Sequence, residues 1–204
     1  MKYYESYISN VIIYPNLIKE KIMQTTLDML RTSDPKNIRI ADISKMAKVS
    51  QVTIYNYFGS KEALLREVFK NYFDKAIRDF EEYMNQGHSL KEKIEHIIFL
   101  EKESYKDFPP TLIKELLIED NELSRYIEEQ YKERTIPLTI RIIQESKDSG
   151  EISDDVSIEN VLTFIQLYMN QYETILEMAN KSGDMDNFLE GMVHMFFYGV
   201  CGKR

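Results

Sequence analysis

Apolar residues recur at helical spacing along nearly the whole chain, and this periodicity constrains the fold more than any other feature. They lie three or four positions apart through most of the 204 residues, while alternating stretches and Asn-Gly or Asp-Gly hairpin turns are almost absent. A hydrophobic content of 43% is sufficient for a packed core. The sequence therefore predicts an all-α fold, without an internal repeat or a flexible linker.

The first part of the chain predicts a head of three helices followed by a long fourth helix. Ser50 is a good N-cap for a short third helix from Gln51 to about Tyr57, and Ser60 for a fourth that runs to about Asn85. Two short helices joined by three residues and braced by a first helix form a helix-turn-helix. The inward positions expected on the first two helices are Ile18, Ile22, Thr26, Met29, Ile40, Ile43 and Ala47.

The third helix carries no charge on the face that should meet solvent. Ile54 and Phe58 lie one turn apart and are expected to face the core. An ordinary surface helix would carry Lys, Glu and Arg opposite them. Here the outer positions hold amide, hydroxyl, phenol and methyl groups, which suit base edges and phosphate oxygens. They come from Gln51, Val52, Thr53, Tyr55, Asn56 and Tyr57.

The net charge of −8 is divided unevenly along the chain. Residues 1–66 contain 10 Lys and Arg against 6 Asp and Glu, a net charge of +4, whereas residues 67–204 carry −12. A DNA backbone would attract the first part and repel the second. Lys61, in the first turn of the fourth helix, is placed to hold a phosphate together with the free backbone amides of that turn.

Residues 43–65, with the sequence ISKMAKVSQVTIYNYFGSKEALL, resemble the DNA-binding signature of the TetR family of bacterial regulators. The likeness extends over about 45 residues, from the first helix to Leu65, and the remainder matches only in being helical and of similar length. It implies base contacts in the major groove from Gln51, Val52, Thr53 and Asn56. It implies backbone contacts from Ser50, Tyr55, Tyr57 and Lys61.

Two positions depart from the family pattern. Lys48 stands where the turn usually has glycine, so a residue with a side chain is expected at a position of positive φ. Arg39 stands where the second helix usually opens with a capping threonine. The arginine is expected to contact phosphate by its charge while capping the helix less well.

The last two helices predict a homodimer. Apolar residues between Ile158 and Leu176 repeat at spacings of four and three, a seam that requires a partner helix, and the final helix is apolar nearly all round. The resembled family uses its last two long helices in this way, although a seam buried within one chain is the alternative. The interface residues that we predict are Ile158, Leu162, Ile165, Met192 and Phe196.

The resemblance also implies a small-molecule effector bound in the middle of the helical body. Aromatic, pliable and polar side chains on the body helices are candidates for a pocket, although aromatics at helical spacing are often plain core. The candidates for ligand binding are Phe99, Tyr105, Phe108, Tyr126, Tyr131, Met169, Asn170 and Tyr172.

Together these features predict a regulator, by family habit a repressor, that binds double-stranded DNA at a palindromic operator. We expect an N-terminal extension at 1–15, a head at 16–66, and an effector-binding and dimerisation body at 67–204, joined by the fourth helix. The alternative is control by a protein or membrane partner, for which Met1–Pro15 is a candidate contact.

An enzyme is not expected, because no phosphate loop, nucleophile elbow or ordered Ser, His and Asp set occurs. The histidines His88, His96 and His194 lack metal-ligand spacing, so no metal or cofactor is predicted. No apolar run approaches the ~18 residues of a membrane span. A single cysteine, Cys201, fits the reducing cytosol, and we expect a cytoplasmic protein.

Overall fold

A computed structural model of the protein describes the backbone of residues 2–108 and 110–199. Side chains are described from residue 16 onward, except at 101, 102, 105, 109–111, 169, 172, 173, 193 and 196–204. The described part is helical throughout and contains no strand, as the periodicity predicts. Two compact units divide the chain between Asp74 and Lys75.

The first unit holds the helices that the sequence assigns to the head. Residues before 16, expected as a separate extension, continue the first helix back to Lys2, and Pro15 lies within it. α4 begins in this unit and continues past the boundary as one uninterrupted helix. The helices are α1, Lys2–Leu30, α2, Ile40–Ala47, α3, Gln51–Phe58, and α4, Lys61–Met84.

Burial in the first unit follows the predicted inner faces. Ile22, Ile43 and Ile54 are fully buried, and Thr26 is accommodated because its hydroxyl donates to the Ile22 carbonyl oxygen over 2.8 Å. α2 packs against both α1 and α3. Removing several large aliphatic side chains from water, at about 1.5–3 kcal/mol each, stabilises α2 and α3, which are too short to persist alone.

Lys48 adopts the left-handed conformation predicted for the turn between α2 and α3. Its φ is 55° and its ψ 44°, and its backbone N–H donates to the carbonyl oxygens of Lys45 and Ser44. Among the described residues other than glycine, Lys48 is alone in having a positive φ. A side chain at such a position costs free energy that glycine avoids.

The second unit contains the remaining helices and one π-helical segment. α6 starts at Pro110, where a missing backbone N–H is tolerated. The segment expected as one helix over 121–148 is divided by the π-helical segment just before Pro137. The elements are α5, Leu90–Asp107, α6, Pro110–Glu119, α7, Asn121–Gln130, the π-helix, Tyr131–Thr135, α8, Ile136–Asp148, α9, Ile158–Asn170, α10, Tyr172–Lys181, and α11, Met185–Gly199.

The helix expected over about 155–180 is interrupted at Gln171, which separates α9 from α10. The ψ of Gln171 is 10°, outside the helical range, and its N–H donates to the Tyr168 carbonyl oxygen three residues back. Helical periodicity continues across this break, and for that reason the sequence alone did not show it.

Two clusters of buried residues hold the second unit together. One joins Met84 and Leu90 to Ile142, Ile143 and other aliphatic side chains of α8 and α9. The other is formed by Leu176, Ala179 and Leu189 of α10 and α11. Arg134 of the π-helix makes a two-pronged ion pair with Glu81 of α4, its Nε lying 2.8 Å from Oε1, and this guanidinium lowers the pKa of the Glu81 carboxyl.

Two of the histidines stack on the same tyrosine. The ring centroid of Tyr83 lies 4.2 Å from that of His88 and 3.6 Å from that of His96, with interplanar angles of 16° and 12°. Burial, and secondarily the neighbouring His88, lower the pKa of His96 below its ordinary value. His96 is therefore held neutral in the folded protein over a range in which it takes up a proton when unfolded.

No helix of the described chain is long and apolar enough to cross a membrane.

Lys48→Gly should raise the free energy of unfolding by about 0.5–1 kcal/mol, because glycine adopts the left-handed turn without steric cost. Urea denaturation followed by circular dichroism measures the change. Lys45→Gly, inside α2, is the matched control and should lower the free energy of unfolding by about 1 kcal/mol. Equal destabilisation by both variants would contradict the strain assigned to Lys48.

Acidification from pH 6.5 to about 5 should lower the free energy of unfolding, because the pKa of His96 is depressed in the folded state and the unfolded chain binds the extra proton. His96→Phe keeps an aromatic ring against Tyr83 and should make this loss smaller. His194→Gln, at an exposed position of α11, should leave it unchanged. Thermal melts across the pH series test this, and identical slopes in all three proteins would refute it.

Candidate functional site

α3 presents to solvent the uncharged face that its sequence predicts. Ile54 is fully buried and Phe58 is 8% exposed, so their side of the helix is committed to the core. Val52 is 66% exposed and Tyr55 48%, unusual values for large apolar side chains on a packed domain. Gln51 and Asn56 are also exposed, while Thr53 and Tyr57 are half-buried.

Ser50 caps α3 through its side chain, as predicted. Its Oγ accepts from the Thr53 backbone N–H over 3.0 Å and lies 2.8 Å from the Thr53 hydroxyl. The cap satisfies one of the free amides at the helix start and holds the two hydroxyls side by side at its exposed end. Thr53 therefore offers its methyl group and a hydroxyl that is already hydrogen-bonded.

Arg39 and Lys61 occupy different environments at the edge of this face. Arg39 precedes α2 with an exposed side chain and makes no capping hydrogen bond, in line with the weaker cap expected there. The Lys61 ammonium donates to the Pro35 carbonyl oxygen over 2.6 Å and so holds the loop between α1 and α2 against the start of α4. Two of its three donors remain for a phosphate.

A cavity of about 250 Å³ lies within the second unit, among α4, α5, α8, α9 and α11. Aliphatic side chains make most of its wall, and the aromatic rings in it belong to Phe80, Tyr131, Phe164 and Tyr168. A concave apolar space with a few polar groups is the usual form of a small-molecule site.

The π-helical segment directs a row of polar side chains to this cavity. Tyr131, Thr135 and Thr139 follow one another at intervals of four and all line it. The Thr139 hydroxyl donates to the Thr135 carbonyl oxygen over 2.8 Å. Pro137 lacks the N–H that would continue the regular ladder, and a π-turn at such a point is frequent at functional sites.

Lys93 of α5 also lines the cavity and is only 8% exposed. Lys93 is not among the ligand-binding residues predicted above, although its position along α5 carries a signal. Leu90, Lys93, Ile94 and Ile97 share one face of α5, and a lysine at an inward position of such a stripe is unusual.

The structure brings only Tyr131 of the described ligand-binding candidates to the cavity. Phe108 is buried away from it and Phe99 is 55% exposed beside His96, while Tyr126 is half-buried and lines no part of it. Asn170 is exposed and accepts from the Gln166 amide over 2.9 Å. Three further candidates, the side chains of Tyr105, Met169 and Tyr172, lie outside the described residues.

The residues predicted at the dimer interface are placed differently from the expectation. Ile158, Leu162 and Ile165 pack against the chain's own core, because α8 provides the partner helix that their seam requires. Met192 lines the cavity, and the Phe196 side chain is outside the described residues. The exposed apolar side chains of α9 and α11 are Phe164 at 41%, Leu167 at 61% and Met195 at 61%.

Comparison with known proteins places the head in a family. Residues 22–68 match the model for bacterial regulatory proteins of the tetR family. The chain is 33% identical over 76 residues to the HTH-type dhaKLM operon transcriptional activator DhaS of Lactococcus lactis subsp. lactis strain IL1403. That match covers 37% of this chain and 41% of the relative, less than half the length of either.

Solved structures share the fold over most of the chain. The transcriptional regulator FadR of Bacillus subtilis, in complex with stearoyl-CoA, superposes with a TM-score of 0.65 at 22% identity, over 89% of this chain and 98% of that one. A transcriptional regulator from Saccharomonospora viridis, in complex with choline, gives a TM-score of 0.68 at 14% identity, over 91% and 98% of the two chains. Residues 22–68 therefore match the tetR family of bacterial regulatory proteins, and the chain as a whole shares the helical fold of these solved structures.

Proposed function

We propose that the protein is a cytoplasmic transcriptional repressor, which binds a palindromic operator as a homodimer and is released by a small molecule held in the 250 Å³ cavity. The observation that carries the proposal is the outer face of α3, which is exposed, uncharged and rich in hydrogen-bonding groups. The amide, hydroxyl and methyl groups on this face match the donors, acceptors and methyl groups of the major groove.

The side chains on this face divide into two roles. Gln51 and Asn56 offer amides suited to adenine, and Val52 offers a methyl contact for thymine, with Thr53 beside them. Contacts to the backbone, which set register and orientation, are assigned to Arg39, Ser50, Tyr55, Tyr57 and Lys61. Lys61 contributes donors that its bond to the Pro35 carbonyl leaves free.

Two observations support the proposed homodimer, namely the geometry that operator reading requires and the exposed apolar side chains of α9 and α11. Two heads related by a two-fold axis would read two half-sites about one helical turn apart. Phe164, Leu167 and Met195 expose apolar surface that a second copy of the chain would cover. They replace Ile158, Leu162 and Ile165 as the residues that we assign to the interface.

The cavity supports regulation by a small molecule over regulation by a protein or membrane partner. Its wall includes Phe80 and Met84 near the end of α4, the helix whose first turn carries Lys61. A ligand that displaces these side chains would shift α4. The DNA-backbone contact that we assign to Lys61, at the start of the same helix, would shift with it. The stearoyl-CoA and choline complexes of the two structural relatives are consistent with such an effector.

We assign repression to this regulator, whereas its relative DhaS is named a transcriptional activator. A reporter gene placed behind the operator distinguishes repression from activation. Its expression rises when a repressor is removed and falls when an activator is removed.

Asn56→Ala should weaken binding to the recovered palindrome by about five- to 150-fold, the equivalent of 1–3 kcal/mol for a lost bidentate base contact. Its affinity for unrelated DNA should be unchanged. Arg39→Ala should weaken both similarly and lower the slope of log affinity against log salt by about one. Genomic fragments retained by the purified protein supply the operator, and fluorescence anisotropy measures the affinities.

Lys21→Ala is the control for Arg39→Ala, because it removes the same charge from an exposed position of α1. It should change neither the affinity nor the salt slope beyond the small effect of net charge. A wild-type protein that binds operator and unrelated DNA equally would refute the assignment of α3 as the reading helix.

Leu167→Glu should convert the dimer to a monomer at micromolar concentration, because association would bury an unpaired carboxylate. Sedimentation equilibrium measures the mass. Ile118→Glu, at a position of α6 that is 70% exposed, should leave the dimer intact. A wild-type protein that sediments as a monomer would contradict the homodimer directly.

A further inference from the structure

Lys93 is a mostly buried lysine whose ammonium has no partner among the described side chains. It is 8% exposed on an apolar face of α5, and no hydrogen bond or ion pair to its ammonium is found among the described residues. No described side-chain nitrogen is both fully enclosed and without a hydrogen-bond partner, so the Lys93 ammonium keeps contact with open space.

The carboxylates near Lys93 along the chain and at the start of α5 are engaged elsewhere. Glu92 accepts from the Ser89 backbone N–H over 2.8 Å in a capping box, and Glu95 lies 3.6 Å from the Lys91 ammonium. Glu151, from the loop after α8, accepts from the Leu90 N–H over 2.8 Å. The counter-charge for Lys93 is therefore not supplied by these acids.

The open space beside Lys93 is the cavity, whose wall is otherwise almost entirely apolar. Its polar groups are neutral hydroxyls at Thr135, Thr139 and two tyrosines, so Lys93 is the sole charged residue in the described lining. An occupant that satisfies both the ammonium and the wall has one negative charge and an apolar remainder.

We propose that the effector is an aliphatic carboxylate, with its carboxylate on the Lys93 ammonium and its chain along the aliphatic wall formed by Ile94, Ile97, Ile142 and Ile143. The inference rests on the effector role proposed above and names its chemical class. Thr139 and Thr135 offer hydroxyls to the second carboxylate oxygen. Lys93 is the group that distinguishes an acid from the corresponding alcohol.

Isothermal titration calorimetry of the full chain, without DNA, tests this with octanoate and octan-1-ol. Octanoate should bind the wild type at least tenfold more tightly than octanol does. Lys93→Met should lose the tenfold preference for octanoate and bind octan-1-ol with the wild-type affinity. Lys93→Arg should keep the preference for octanoate. Lys91→Met, which removes an exposed ammonium from the same helix, is the matched control and should behave as the wild type does.

Chain length provides the second readout. Affinity should rise about fourfold per methylene from hexanoate to octanoate. Equal binding of octanoate and octanol, unchanged octanoate binding in Lys93→Met, or no binding of either compound would overturn the proposal. So would tighter binding of octanoyl coenzyme A, whose thioester has no carboxylate at this position.

Operator affinity is measured separately, with and without saturating octanoate. Octanoate should weaken it in the wild type and leave it unchanged in Lys93→Met. A protein that binds the operator but not octanoate refutes this proposal alone. One that binds octanoate but no operator refutes the proposed function and leaves the ligand assignment standing.

Discussion

The burial of Ile54 and Phe58 orients α3, and every functional assignment in the head depends on it. Both side chains belong to the core, so the opposite side of an eight-residue helix is left to solvent. The direction is reinforced by the left-handed turn at Lys48 and by the Ser50 cap, which together set where α3 begins. Without these constraints, the amides of Gln51 and Asn56 would be ordinary surface groups with no common direction.

α4 has a different constraint, because one helix takes part in two environments. Its first turn is tied to the Pro35 carbonyl by Lys61, while Glu81 near its end is held by the guanidinium of Arg134. A half-buried, two-pronged ion pair is more directional than an exposed one, and losing one partner leaves the other charge poorly solvated. The π-helical segment that carries Arg134 also lines the cavity through Tyr131 and Thr135, so the ion pair and part of the cavity wall share one short stretch.

The difference between the two parts of the molecule explains which predictions held. In the head, the predicted surface depends on local features, namely a cap, a turn and a short helix whose inner face can be predicted from residue spacing. In the body, pocket residues such as Thr139, Ile152 and Val161 come from helices far apart in the sequence. Of the described aromatics that composition suggested, only Tyr131 reaches the cavity, because an aromatic at helical spacing can serve either a core or a pocket. Lys93 gave a local signal, since it is a charged residue on an apolar stripe. That it lines a cavity could be seen only in the folded chain.

Residue order specifies the helical fold, the capped and turned geometry of the head, and the chemical character of the α3 surface. These depend on interactions within a few residues, which spacing and residue type specify. Tertiary structure alone decided that Ile158, Leu162 and Ile165 pack inside the chain, that the helix breaks at Gln171, and that Lys93 meets an apolar cavity. An apolar seam on a helix indicates only that another apolar surface packs against it. Which surface meets that need is settled by the packing of distant segments, and no local pattern encodes it.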